Sequence, residues 1–342
     1  MKKQSKLLAL LLACAMTLAL SACGGSSATT STPASSAAPA ASGSAAATGD
    51  KTYTIGICQL VQHNALDAAT KGFKDALTEK LGDKVKFDEQ NAAGDSAACT
   101  TICNQFVSSN VDLIMANATP ALQAATAATN SIPILGTSVT DYGTALSIAD
   151  WKGTTGTNVT GTADLAPLDK QAEMIKTLFP DKKNVGILYC SAEPNSKYQS
   201  TEITKYLTDA GYTCKEYTFA DSNDVAAVTK TACDESDVLY VPTDNTAASC
   251  AESINNIAEP AKVPIVAGEA GICTGCGVAT LSIDYYDLGV VTGNMAYEVL
   301  VNGADPATTE IQFAPKTTYQ YMADRCEKLG VKVPSDYVAI EV

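Results

Sequence analysis

Residues 184–211, NVGILYCSAEPNSKYQSTEITKYLTDAG, set the plan of the chain. Val185 to Cys190 is an apolar run of strand length, followed by the loop Ser191 to Asn195. Ser196 with Gln199 three residues on fits a capping box that opens a helix. Ile203, Tyr206, Leu207 and Ala210 then share one helical face, and Gly211 supplies a stop. In a parallel α/β sheet, ligands sit at the mouth between a strand's C-terminal end and the next helix, where unpaired N–H groups favour an anion.

The unit recurs. Ile55-Gly56-Ile57-Cys58 matches Val185-Gly186-Ile187-Leu188, Asp112-Leu113-Ile114-Met115 matches Asp237-Val238-Leu239-Tyr240, and Ile132-Pro133-Ile134-Leu135 matches Val263-Pro264-Ile265-Val266. The offsets are 130, 125 and 131 residues. A shared spacing in one order predicts two similar lobes rather than one continuous sheet.

At 342 residues the chain can bury two cores. A net charge of −14, from 23 basic and 37 acidic residues, speaks against nucleic acid and against an anionic membrane surface as partner. His63 is the single histidine, which disfavours His-dependent hydrolysis and multi-histidine metal sites.

The N-terminus reads as an address. Lys2, Lys3 and Lys6 precede an apolar stretch from Leu7 to Leu20. Its 14 residues span about 21 Å as a helix, short of a roughly 30 Å hydrocarbon core, so it is a signal peptide. Leu20-Ser21-Ala22-Cys23 resembles the lipobox of bacterial lipoproteins, which makes residues 1–22 the signal and Cys23 the site of lipidation with palmitate. An ordinary cleavage site with an incidental cysteine is the alternative. Loss of three lysines takes the charge from −14 to −17. Gly24 to Asp50 is Ser, Ala, Thr, Gly and Pro with almost no charge, a flexible tether.

Ten further cysteines remain, at 58, 99, 103, 190, 214, 233, 250, 273, 276 and 326. Most fall in strand or helix patterns, where free cysteine acts as a small apolar residue. Cys273-Thr274-Gly275-Cys276 is expected in a loop, open to a local disulfide or a metal. Zinc needs a second ligand pair at suitable spacing, and none is evident.

Strand and helix patterns alternate along the rest. Thr119-Pro120 reads as N-cap and first helical residue. One helix is expected from Asn245 to about Ala258, and Val278 to Ile283 is expected to close the second sheet. The pattern predicts an α/β fold with doubly wound parallel sheets.

Five stretches carry a resemblance: Gln59 to Asp67, Asn158-Val159-Thr160-Gly161, Glu193-Pro194-Asn195-Ser196, Val241 to Thr246, and Ile283 to Gly289. In this order they resemble a substrate-binding lipoprotein of a bacterial ABC importer. More narrowly, they resemble the type I periplasmic-binding family whose ligands are mainly aromatic and other apolar amino acids. The resemblance implies two Rossmann-like lobes with parallel sheets, joined by a three-crossing hinge. Lobe 1 is expected over 51–157 plus 284–311, and lobe 2 over 158–283 plus 312–342. It also implies a monomer, lipid-anchored on the extracytoplasmic face, that hands ligand to an ABC permease and its ATPase. The family usually has proline after the aspartate of its Ser-Val-Thr-Asp stretch, and here Tyr142 follows Asp141.

A zwitterionic amino acid needs donors for its carboxylate, an acid for its ammonium, and apolar walls. Thr119, Asn195 and Ser196 are assigned to the carboxylate, with simple helix capping as the alternative or additional role. Asp244, beside Asn245 and Thr246, is the first choice for the ammonium, with Asp141 second. Glu193 is read as a solvated surface acid, and Trp151 as packing. Gln59, His63 and Asn64 are placed in the first mouth, and Asp284 and Tyr285 at the second crossing as hinge or contact residues.

No P-loop, G-x-S-x-G, H-E-x-x-H or G-x-G-x-x-G pattern accompanies the folded region, so an enzyme on this architecture is disfavoured, with no cofactor or metal expected. A sensing receptor module is the remaining alternative.

Overall fold

The structure, a computed structural model, describes residues 51–341. The expected signal peptide, Cys23 and tether lie outside the described residues. Among the described residues no helix is long and apolar enough to cross a membrane.

The first part runs β1 (Tyr53–Gln59), α1 (Asn64–Leu81), β2 (Val85–Asn91), α2 (Ser96–Ser108), β3 (Leu113–Asn117), α3 (Thr119–Ala128), β4 (Ile134–Val139), α4 (Tyr142–Leu146) and β5 (Val159–Ala163). The second runs α5 (Leu168–Leu178), β6 (Asn184–Cys190), α6 (Pro194–Asp209), β7 (Thr213–Phe219), α7 (Val225–Glu235), β8 (Val238–Val241), α8 (Asn245–Ser249), α9 (Ala251–Ala261), β9 (Ile265–Ala267), α10 (Ala270–Cys276) and β10 (Ala279–Ile283). The chain ends with α11 (Tyr285–Val301), β11 (Gln312–Phe313), β12 (Thr317–Tyr321), α12 (Ala323–Leu329) and β13 (Val338–Ala339).

Two sheets result, in the orders β11-β5-β4-β3-β1-β2 and β13-β12-β10-β9-β8-β6-β7. The repeated strands occupy equivalent places: β1 pairs with β2 and β3 as β6 pairs with β7 and β8, all in parallel. Both sheets carry helices on two faces, so their strands are near-continuous apolar runs. Leu113–Asn117 and Val238–Val241 are buried at every position.

Strand membership moves the expected lobe boundaries. β5 pairs with β4 in the first sheet, and β11 pairs with β5, so Val159–Ala163 and Gln312–Phe313 belong to lobe 1, not lobe 2. The Asn158-Val159-Thr160-Gly161 run therefore leads into an inner strand of lobe 1. The chain crosses at residues 164–167, near Asp284, and at 314–316. The second sheet also does not end at β10, because β12 adds antiparallel to it and β13 adds parallel to β12.

α11 returns to the first lobe and lies along α1 at close range: a Cβ on Gly289 would stand 2.0 Å from the Ala69 carbonyl oxygen. The helix expected from Asn245 onward is two, broken at Cys250. Cys273 and Cys276 lie in α10, not in a loop, and the ten cysteines of the described region are free thiols. The buried guanidinium of Arg325 donates to the carbonyls of Cys273, Thr274, Gly275 and Gly277 at the end of α10, taking up acceptors a helix terminus leaves unpaired.

Tyr142, the departure from the family pattern, is fully buried in the first core. Its hydroxyl donates to the Thr162 carbonyl at 3.1 Å, and its ring stacks on Trp151 with centroids 6.3 Å apart. Gly136 and Gly161 make its slot, since a Cβ on either would meet the tyrosine oxygen at 2.4 or 2.6 Å.

Candidate functional site

The C-terminal ends of β1, β3 and β4 face those of β6, β8 and β9 across a cleft, and each strand feeds a loop that ends in a helix N-terminus. At the lobe 2 mouth Glu193 is the centre. It is 4% exposed and accepts from five donors: Nδ2 of Asn195, N and Nδ2 of Asn245, and N and Oγ1 of Thr246, at 2.7 to 3.0 Å. The surface reading of Glu193 is thus overturned. Its carboxylate ties the first turn of α6 to that of α8, replacing the N–H partners those helix ends lack.

Asp244 lies beneath it, 1% exposed, and accepts from the backbone of Cys190 and of Ala247 at 2.7 Å each. It caps α8 and bridges β6 to β8. Burial, and then the neighbouring Glu193 charge, push its carboxyl up to about 7. Ser196 does not cap α6: Glu193 is the N-cap residue, Pro194 opens the helix, and Ser196 is buried inside the first turn beside Asp244. Gln199 reaches across to Thr243 instead, donating to its carbonyl and accepting from its N–H at 3.0 Å each. Asn195 Nδ2 also donates to the Thr243 carbonyl at 3.3 Å, and its Oδ1 is buried with no partner.

The lobe 1 mouth is built differently. The N-cap of α3 is Ala118, at φ 93° and ψ 157°, and Thr119 is the first helical residue. The Thr119 hydroxyl is therefore free of capping duty, and it is buried without a partner. Ser138, at φ 54°, sits where the pairing of β4 with β5 slips between Gly136 and Val139, and its hydroxyl is also buried and unpartnered. Such bulges re-aim side chains near binding sites. Pro120 and Glu193 share a cavity of about 220 Å3 that also takes in Leu60, Asn245 and Thr246, so the first turns of α3, α6 and α8 converge.

His63 joins the lobes. Its Nε2 donates to Asn245 Oδ1 at 3.2 Å, while Nδ1 is buried and unpartnered. Burial holds its pKa below the usual imidazole value. Gln59 turns away, bracing the β1–α1 turn through Val61 O, Asp67 and Thr70. Asn64 is exposed at the start of α1. Asp141 caps α4 through the Thr144 N–H at 2.7 Å and stands near Tyr198 of α6, outside the cavity that the buried acids line.

Two acids were not singled out from sequence. Asp164, on the first crossing, is 4% exposed and accepts from Tyr285 Oη at 2.9 Å and Thr140 Oγ1 at 3.2 Å. Burial pushes it up to about 6. Glu269 follows β9, is 2% exposed, and caps α10 by accepting from the Gly271 and Ile272 N–H groups. Burial pushes it up to about 7 against those donors. The available signal was positional: Glu269 follows β9 as Asp244 follows β8. Asp284 caps α11 through the Asp287 N–H at 3.1 Å.

Asp164, Asp244, Glu269, His63, Asn245 and Tyr285 line one cavity of about 10 Å3, room for a single water at most. The lobes meet closely here and leave this cavity no room for a ligand of amino-acid size. A larger cavity of about 360 Å3 lies beside it, sharing Ala65, Glu269 and Tyr285 as its wall and adding Asn64, Asp284 and Lys316.

The architecture is that of type I periplasmic binding proteins: two α/β lobes, three crossings and a polar cleft at the strand ends. The chain belongs to the ABC transporter substrate binding protein family, whose model matches residues 54–340. It is 40% identical over 265 residues to a Tyrosine-binding protein of Clostridioides difficile (strain R20291), covering 76% of each chain. It is 34% identical to a Streptococcus pneumoniae ABC domain solved in complex with L-Trp, at a TM-score of 0.80, over 83% of this chain and 97% of that one. To the ligand-free, open form of a Clostridium difficile substrate binding protein with adhesive properties it is 35% identical, at a TM-score of 0.65, over 85% and 100%. At similar identity, the closed cleft is nearer in shape to the tryptophan complex than to the open protein.

Proposed function

We propose that this substrate-binding protein takes an L-amino acid with an aromatic or large apolar side chain, tyrosine or tryptophan foremost. It closes on the ligand by hinge motion and presents it to an ABC permease and its ATPase. The observation that carries the ligand class is the cleft's charge. Three buried carboxyls line its inner cavity and no lysine or arginine does. An ammonium meets that need, while neutral donors serve its carboxylate: the Thr119 and Ser138 hydroxyls and the first turn of α3. The tyrosine-binding and tryptophan-bound relatives support an aromatic side chain. Contacts made by both lobes favour the closed state, and no bond is made or broken.

The protein acts as a monomer held at the extracytoplasmic face through lipid on Cys23, its tether of 27 residues reaching roughly 30 Å from the membrane. Asn195, Ser196, Asn245, Thr246 and His63 complete the site from lobe 2 and the junction. Calorimetric titration of the full chain in mild detergent, after unfolding and refolding to strip carried-over ligand, tests the reading. The titrants are the twenty amino acids, with nucleosides and sugars as controls. One-to-one binding of tyrosine or tryptophan is expected, and binding only of a control overturns it.

A further inference from the structure

Asp164, Asp244 and Glu269 come from three parts of the fold, the first crossing and the mouths after β8 and β9, and meet around one small cavity. Every hydrogen bond they receive comes from a neutral donor. Asp164 has Tyr285 and Thr140, Asp244 has two backbone N–H groups and neighbouring Ser196, and Glu269 has two N–H groups of α10. Glu193 adds a fourth buried acid next to Asp244. The base facing the cavity is His63, which burial holds toward its neutral form although Glu193 and Asp67 act in the other direction. Like charges this close and this dry do not all ionise together. Among the described residues no group of three or more His, Cys, Asp or Glu side chains is placed to hold a metal ion.

We propose that Asp164, Asp244 and Glu269 form one subsite that holds either a proton or the ligand's ammonium, so that binding exchanges one for the other. The inference rests on the amino-acid reading above and adds a regulation of that site. In the exchange a carboxyl O–H bond breaks, its proton passes to water, and the carboxylate left behind accepts N–H bonds from the ligand's intact ammonium. Ligand bonds do not change. The closed, ligand-free cleft is then a protonated state, and the ligand-bound cleft a deprotonated one. Burial raises the three carboxyls to about 6 or 7, which places the exchange between pH 5 and 8. Acid therefore promotes ligand release, and alkaline medium promotes capture.

Three pairings of measurement and probe test this on the full chain in mild detergent. L-Tyrosine is titrated between pH 5 and 8.5 in two buffers of different ionisation enthalpy. The expected result is proton release on binding, and affinity that falls about tenfold per pH unit below 7 for each carboxyl that must give up its proton to bind. 3-(4-Hydroxyphenyl)propanoate, which keeps the ring and carboxylate but lacks the ammonium, is the second probe. It is expected to show the opposite trend, binding better at pH 5 than at pH 8. Glu269→Gln is expected to flatten the tyrosine profile. Tyrosine affinity flat from pH 5 to 8.5 with no buffer-dependent heat overturns the proton exchange and leaves the amino-acid reading standing. Failure of every amino acid to bind at every pH overturns both.

Discussion

The two mouths of the cleft start from the same strand-loop-helix plan and solve it in opposite ways. In lobe 2 the loops are stitched together by acids: Glu193 takes five donors, Asp244 two backbone N–H groups besides Ser196, and Glu269 two N–H groups. In lobe 1 the loops carry hydroxyls without partners, at Thr119 and Ser138, on backbone with positive φ at Ala118 and Ser138. An unpaired buried hydroxyl costs free energy until something pairs it. Lobe 2 thus spends most of its cleft-facing polar groups on itself, Asn195 Oδ1 excepted, whereas lobe 1 keeps two hydroxyls unpaired. On the proposed binding mode occupancy favours closure, because the acids of lobe 2 and the hydroxyls of lobe 1 reach the ligand together only across the closed cleft.

The largest effect expected from this contrast is in Glu193→Gln. An amide places an N–H₂ group among donors that need an acceptor, and we expect a loss of about 3 kcal/mol of folding stability in denaturant titration. A loss under about 0.5 kcal/mol shows that the lobe 2 lattice is not what holds that mouth.

Thr119→Val is next. It keeps the shape and removes an unpaired hydroxyl, so stability is unchanged or slightly raised, while affinity for tyrosine falls by about 1–2 kcal/mol in calorimetry. A variant that loses stability but binds normally returns Thr119 to a structural role.

Ala118→Gly relieves a backbone conformation that only glycine adopts freely. A melting experiment is expected to show a net gain of about 1 kcal/mol in the ligand-free protein. No gain means the neighbouring elements do not hold Ala118 under strain.

A separate test is the pH dependence of ligand-free stability. A carboxyl raised to about 6 or 7 binds its proton more tightly folded than unfolded, where its pKa is near 4. The folded state therefore holds more protons between those values, and stability falls as pH rises from 4 through 7. His63, kept neutral by burial, works the other way below its ordinary 6.5. Melting at pH 5.5 and 8 is expected to show the higher temperature at 5.5, and the reverse order sinks the assignment of raised carboxyls.

Much of the fold was legible because strand identity lives in short apolar runs. Val185 to Cys190, Val238 to Val241 and their counterparts at Ile55 and Leu113 need only hydrophobicity and spacing to be recognised, and the repeat of about 130 residues then gives two lobes. Val159–Ala163 was assigned to the wrong side of the crossing, because which sheet a strand joins depends on the partner edge it meets, and its own residues do not encode that.

The site divided along the same line. That Asn195, Asp244, Asn245 and Thr119 stand at strand-to-helix mouths follows from local sequence, since caps and turns use those residue types wherever they occur. Whether a carboxylate there meets water or five donors is a property of neighbours dozens of residues away. Glu193 is buried because α8 brings Asn245 and Thr246 over it, and Asp164 because Tyr285 returns after more than a hundred residues. Sequence alone determined the two-lobed α/β plan and the residue types at the cleft. The tertiary structure decided which of those residues are buried, which are satisfied and which still lack a partner, because desolvation and hydrogen-bond pairing are set by what packs across the cleft.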